Sequence, residues 1–163
     1  MELLPADHPW AGYARTVVVV VRPDSPDLVV AAAPEGETGR WPWPTDDAVH
    51  VLTAWDPGGA RPGDVENRRR QADLEGELRA LAPRETWTAV GADPVSGRRE
   101  EGVAVSGLDL DVVRALGARY GQDAIFEWTP QEWAIVACPG GRREAFGWSV
   151  TNEEVERREP LSL

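Results

Sequence analysis

Two side-chain amides stand where a core-facing stripe should be apolar. Between Asp64 and Pro83 the sequence predicts a helix, with Asp64 as its N-cap, and positions 67, 71, 74, 78 and 81 fall on the inward stripe. Leu74, Leu78 and Leu81 fit that stripe, whereas Asn67 and Gln71 at its N-terminal end do not. An inward amide left unpaired costs on the order of 1–3 kcal/mol, so each must bond either a neighbouring loop or a ligand. The strand Val49–Trp55, the Gly-rich turn Asp56–Gly63 and the helix follow one another in the order of an anion site at a helix start. Against that stand the missing phosphate-loop and dinucleotide motifs, the absence of Lys, and Asp64 and Glu66 in the first turn. Arg68, Arg69 and Arg70 offset those carboxylates only in part, and their i, i+4 spacing to Glu66 and Asp73 reads as a solvated face.

Other reactive side chains are sparse. His8 and His50 are far apart, so no His-rich metal motif exists and no metal or cofactor is expected. Cys138 ends an apolar strand, the setting of a buried inert thiol. Carboxylate pairs such as Glu100–Glu101 and Asp109–Asp111 are too common in this chain to select among. The eight tryptophans could line a stacking groove, but their places in and beside strands favour a core and its loop clamps. Trp41 and Trp43, between prolines, are expected to be partly exposed.

The elements that position these residues belong to a chain of ordinary globular composition, with 163 residues, 42% hydrophobic and 28% charged. Its net charge of −11 argues against nucleic acid and for a small ligand or a basic protein as partner. All the basic residues are Arg, which fits either selection for bidentate contacts or biased codon usage. One cysteine permits no intrachain disulfide, no secretory signal is visible, and Val17–Val21 is too short to cross a bilayer. A cytoplasmic protein with no membrane association is the expectation.

Strands are read at Thr16–Arg22, Leu28–Ala33, Val49–Trp55, Glu85–Gly91, Glu101–Ser106, Asp123–Trp128 and Trp133–Cys138, with Phe146–Val150 as an added edge. Residues 34–47 hold three prolines and two tryptophans and form a loop. A second helix follows Asp109, with Val112, Val113, Leu116 and Tyr120 on its apolar face. This order predicts a single α+β domain over 1–163, with a core at about 16–150 and an exposed tail at 152–163. Its architecture is expected to be one mixed, mainly antiparallel sheet with two helices packed on a face.

Several segments in order, His50–Pro57, Glu66–Asn67 with Leu74 and Leu78, the Gly91 region, Arg99–Glu100 and Gly121–Trp128, resemble the bacterial family called domain of unknown function 3293. The likeness covers roughly residues 48–138. It departs at Asp56, where the family pattern has Asn, and at Arg98, where it has Trp. The resemblance implies a set of matching polar positions, Thr53, Asp56, Asn67, Glu100 and Gln122, that could gather around one loop. With Gln71 from the helix stripe, the candidate ligand-binding residues are Thr53, Asp56, Asn67, Gln71 and Gln122. The function expected is a binding or regulatory module for a small ligand or protein. The alternative is a small hydrolase or transferase with Glu100 as acid/base, and a third reading makes the polar residues staples of the fold.

Overall fold

The computed structural model describes residues 9–152. Its elements are helix α1 (Pro9–Arg15), strands β1 (Val17–Val21), β2 (Leu28–Ala33) and β3 (Val49–Leu52), helix α2 (Asp64–Ala80), strands β4 (Glu85–Ala92) and β5 (Arg99–Ser106), helix α3 (Leu110–Arg119), and strands β6 (Ala124–Trp128), β7 (Trp133–Ala137) and β8 (Arg143–Asn152). The expected tail lies, beyond Asn152, outside the described residues, as does His8. No helix among the described residues is long and apolar enough to cross a membrane.

The strands form a closed barrel in the order β1-β2-β8-β7-β6-β3-β5-β4, and every neighbouring pair is antiparallel. The expected mixed, open sheet with helices on a face is therefore corrected to a closed antiparallel barrel. The reason lies in long-range pairings that local patterning does not reveal. Val17–Val21 bonds not only β2 but also Thr88–Ala92, and β8 is no edge, because it joins β2 on one side and β7 on the other. Closure gives every strand among the described residues a hydrogen-bonded neighbour on each side.

Alternation along each strand sorts side chains to the inside or the outside of the barrel. Inside, Trp128, Trp133 and Trp148 are fully buried among Val18, Val20, Val30 and Val49, with Trp41, Trp43 and Trp87 against them. The rings meet edge-on, as in Trp128–Trp148 at 5.3 Å and Trp41–Trp128 at 5.2 Å between centroids, the arrangement that aromatic quadrupoles prefer. The Pro-rich loop carrying Trp41 and Trp43 is stitched to β8 by bonds between Gly39 N–H and Trp148 O and between Trp148 N–H and Glu37 O. Gly147 permits that crossing, since a Cβ there would lie 1.9 Å from Glu37 O.

Outside, Leu52, Val103, Val105, Ile125, Ala134 and Val136 meet Leu74 and Leu78 of α2 and Val113 and Leu116 of α3. Asn67 and Gln71 are buried with the α2 leucines, as the stripe predicts, but Leu81 and Val112 are exposed. Helix α1 was not foreseen. Its Trp10 packs on Ile135 and Ala137, inward residues of β7, and its indole N–H donates to Glu144 at 2.6 Å.

Truncating Trp128 to Ala removes the ring that touches Trp41, Trp43, Trp133 and Trp148. Trp128→Ala is expected to cost about 3–5 kcal/mol in equilibrium urea unfolding, and a loss below about 1 kcal/mol would contradict this account of the core.

Candidate functional site

The inward side chains of β4 shrink along the strand from Trp87 to Ala89 to Gly91, and β5 presents Gly102 beside Ala89. Small residues on facing strands leave room inside a barrel of this size. A cavity of about 670 Å³ opens there, bounded by β1, β3, β4, β5, β6, α1 and the 56–61 turn. Its apolar wall is Val18, Val51, Ala89, Ala124 and Phe126. Trp10 fills the opposite, β7 side of the same barrel end, so the cavity is the part that α1 leaves open.

The polar wall is built by the turn after β3. Thr53 Oγ1 donates to Glu101 O at 2.5 Å and accepts from Trp55 N–H at 3.0 Å, fixing the strand end. Ala54 N–H donates to Gln71 Oε1 at 2.8 Å. Asn67 bonds Asp56 twice: its Oδ1 accepts the Asp56 backbone N–H at 3.0 Å, and its Nδ2 donates to Asp56 Oδ1 at 2.9 Å. This double bond holds Asp56 at φ 46°, a left-handed conformation that a non-glycine residue adopts at a cost. Gln122 Nε2 donates to Trp55 O at 3.0 Å, and Gly121, at φ 76°, passes so close that a Cβ would lie 2.6 Å from Pro57.

One connected network thus gathers Thr53, Asp56, Asn67, Gln71 and Gln122 around the turn. They face different ways. Thr53, Asp56 and Gln122 line the cavity together with Glu100, whereas Asn67 and Gln71 are buried behind the turn and hold its backbone. Arg98, at the position where the family pattern has Trp, joins the set. Its Nη2 donates to Asp56 Oδ2 at 2.7 Å and lies 3.3 Å from Glu100 Oε1. The result is a guanidinium between two carboxylates.

These neighbours drive the two acids apart. Burial works to raise the Asp56 pKa, but the hydrogen bonds from Arg98 and Asn67 and the charge of Arg98 outweigh it and hold the carboxyl below its ordinary value. Burial raises that of Glu100, with the Asp56 charge adding to it and Arg98 pulling the other way. Opposite them, burial and then the charges of Asp123 and Glu100 push the Tyr13 phenol up to about 12. Arg15 clamps α1 to the rim through two bonds to Asp93, each 2.8 Å, and its hydrogen bonding holds the Asp93 carboxyl far below the usual range.

Tyr13, Arg98 and the small residues Ala89 and Gly91 are the lining that sequence reasoning passed over as site residues. The falling size of Trp87, Ala89 and Gly91 at alternate positions was a readable signal once that strand was known to face a barrel interior. Tyr13 carried none, because its helix was not predicted. His50, 1% exposed on the outer face of β3, bonds Glu127 at 2.8 Å and takes no part in the cavity. Burial pushes the Cys138 thiol up to about 11, which suits an inert side chain.

Two measurements follow from this geometry. Asn67→Ala frees the turn and leaves Asp56 N–H unpaired, with an expected loss of about 1–3 kcal/mol in urea unfolding. Glu100 has a folded pKa above its unfolded one. The stability this gives is present below the unfolded value near about 4.3 and is lost as pH rises through the folded value. At neutral pH the ionised carboxylate is thus a burden on the fold. Glu100→Gln is expected to raise the melting temperature at about pH 7, with the gain vanishing toward about pH 4. A lower melting temperature at neutral pH would contradict the assigned burial.

Residues 52–125 match the family described as Protein of unknown function (DUF3293), the family that the sequence resembles. The span carries Thr53, Asp56, Asn67, Gln71, Gly91, Arg98, Glu100 and Gln122, while α1, β1, β2, β7 and β8 lie outside it. No curated protein and no solved structure matches the chain.

Proposed function

We propose that this chain is a binding protein for a small molecule, held inside the barrel between the apolar wall and the Asp56–Arg98–Glu100 rim. The observation that carries the reading is the cavity itself, of about 670 Å³, within the range of small-ligand sites. Four positions singled out from the sequence, Thr53, Asp56, Glu100 and Gln122, line it. Support also comes from the strain stored at its edge. A left-handed aspartate and a half-buried carboxylate are features that a fold built only for stability has no reason to keep. In this reading the protein works in the cytoplasm. Its net charge of −11 favours a small molecule over nucleic acid.

A second reading, acid/base catalysis on the bound molecule, is favoured by one observation. Asp56 and Glu100 share a guanidinium yet are shifted in opposite directions, the pattern by which paired carboxyls divide acid and base roles. Turnover of a bound compound that Glu100→Gln abolishes without abolishing binding would favour this over simple binding.

The test of the binding reading fills the cavity without touching its polar rim. Gly91 faces inward at an ordinary extended conformation, and a Cβ there would meet only Thr16 Cγ2, at 3.6 Å. Gly91→Val is expected to keep or raise the melting temperature, because it replaces a strand glycine by a β-branched residue. It is also expected to abolish the thermal shifts that small-molecule fragments give with the parent protein. Fragments that stabilise both proteins equally would place binding elsewhere.

A further inference from the structure

Charges of both signs face the cavity. Arg15 is spent on Asp93, and Arg98 is bonded to Asp56 through Nη2 alone. Among the described residues no hydrogen bond engages Arg98 Nη1 or Glu100 Oε2, and no ion pair engages Arg61 or Asp123, which stand exposed in the lining at the rim. Arg98 and Glu100 are two residues apart and both line the cavity, so a donor group and an acceptor group, 3.3 Å apart at Nη2 and Oε1, stand on the same wall. Beyond them the wall is apolar, formed by Val18, Val51, Ala89 and Phe126.

Resting on the small-molecule reading, we propose that the cavity takes a zwitterion with an apolar body, the chemical class of a free amino acid with a hydrocarbon side chain. Its carboxylate meets the free N–H groups of Arg98 and the charge of Arg61. Its ammonium meets Glu100, with Asp123 at the rim beside it. The hydrocarbon side chain lies against Val18, Val51 and Phe126. Head groups of a single charge fit less well. A bare anion would sit beside Asp56 and Glu100, and a bare cation beside Arg98 and Arg61, each with one wall repelling it. A zwitterion satisfies both walls, and its ammonium meets Glu100 at Oε2, the oxygen that Arg98 does not engage.

The test compares head groups on a constant body by isothermal titration calorimetry at low salt. The phenyl series is phenylalanine, phenethylamine and 3-phenylpropanoate; the isobutyl series is leucine, 3-methylbutylamine and 4-methylpentanoate. In at least one series the amino acid is expected to bind about tenfold or more tighter than either singly charged analogue. Glu100→Gln is expected to weaken the amino acid and the amine by about tenfold while the acid binds as tightly as before or more tightly. Arg61→Gln, at an exposed position outside every ion pair among the described residues, is expected to weaken the amino acid and the acid while the amine binds as tightly as before or more tightly. The inference is overturned if a singly charged analogue equals the amino acid in both series, if the two substitutions act alike on all head groups, or if none of the six binds. Should neutral fragments still bind and Gly91→Val still block them, the inference falls and the binding reading stands.

Discussion

Six indole rings inside the barrel set the terms for everything else in the molecule. An eight-stranded barrel has an interior only just wide enough for side chains, so bulk placed at one end decides what remains at the other. Trp41, Trp43, Trp87, Trp128, Trp133 and Trp148 occupy that interior on the Trp87 side of Ala89, which packs with them, and three of them are fully buried. They fill that end of the barrel, while the other end is lined by small residues such as Ala89, Gly91 and Gly102. The cavity is a consequence of that division and of Trp10, which takes only part of the open end.

The polar rim depends on the same frame through the turn at 53–58. Helix α2 is anchored to the outer wall of the barrel by Leu74 and Leu78, and its first turns then present Asn67 and Gln71 to the backbone of residues 54–56. Those amides fix Asp56, Asp56 fixes Arg98, and Arg98 sets the environment of Glu100. Packing on the outside of the barrel thereby determines the electrostatics on its inside. Arg98 makes this rim charged and gives Asp56 its partner. Asp56 and Arg98 form one ion pair at 2.7 Å.

Much of this was legible in the sequence, and what was not had a physical cause. The strands at Val17–Val21, Leu28–Ala33 and Trp133–Ala137, and both long helices, declared themselves through β-branched runs and a leucine stripe. Asn67 and Gln71 stood out as amides in that stripe, and the structure gives them backbone partners in the neighbouring turn. Closure was invisible. The pairings of β1 with β4 and of β2 with β8 join segments far apart in the chain, and no local pattern encodes which edges meet. Reading the sheet as open hid the alternation of Trp87, Ala89 and Gly91 as an inward taper, and with it the cavity. The helix at Pro9–Arg15 was missed because its seven residues show no sustained apolar period, and with it went Tyr13 and Arg15.

The central claim is that small molecules enter the barrel at its glycine-lined end, and methyl-resolved NMR tests it most directly. Titration of a binding fragment or amino acid into methyl-labelled protein is predicted to shift the signals of Val18, Val51 and Ala89, on the cavity wall, while Leu74 and Leu78 under α2 stay still. Saturable shifts at Leu74 and Leu78, or on the outer face, with Val18, Val51 and Ala89 unmoved would contradict the account.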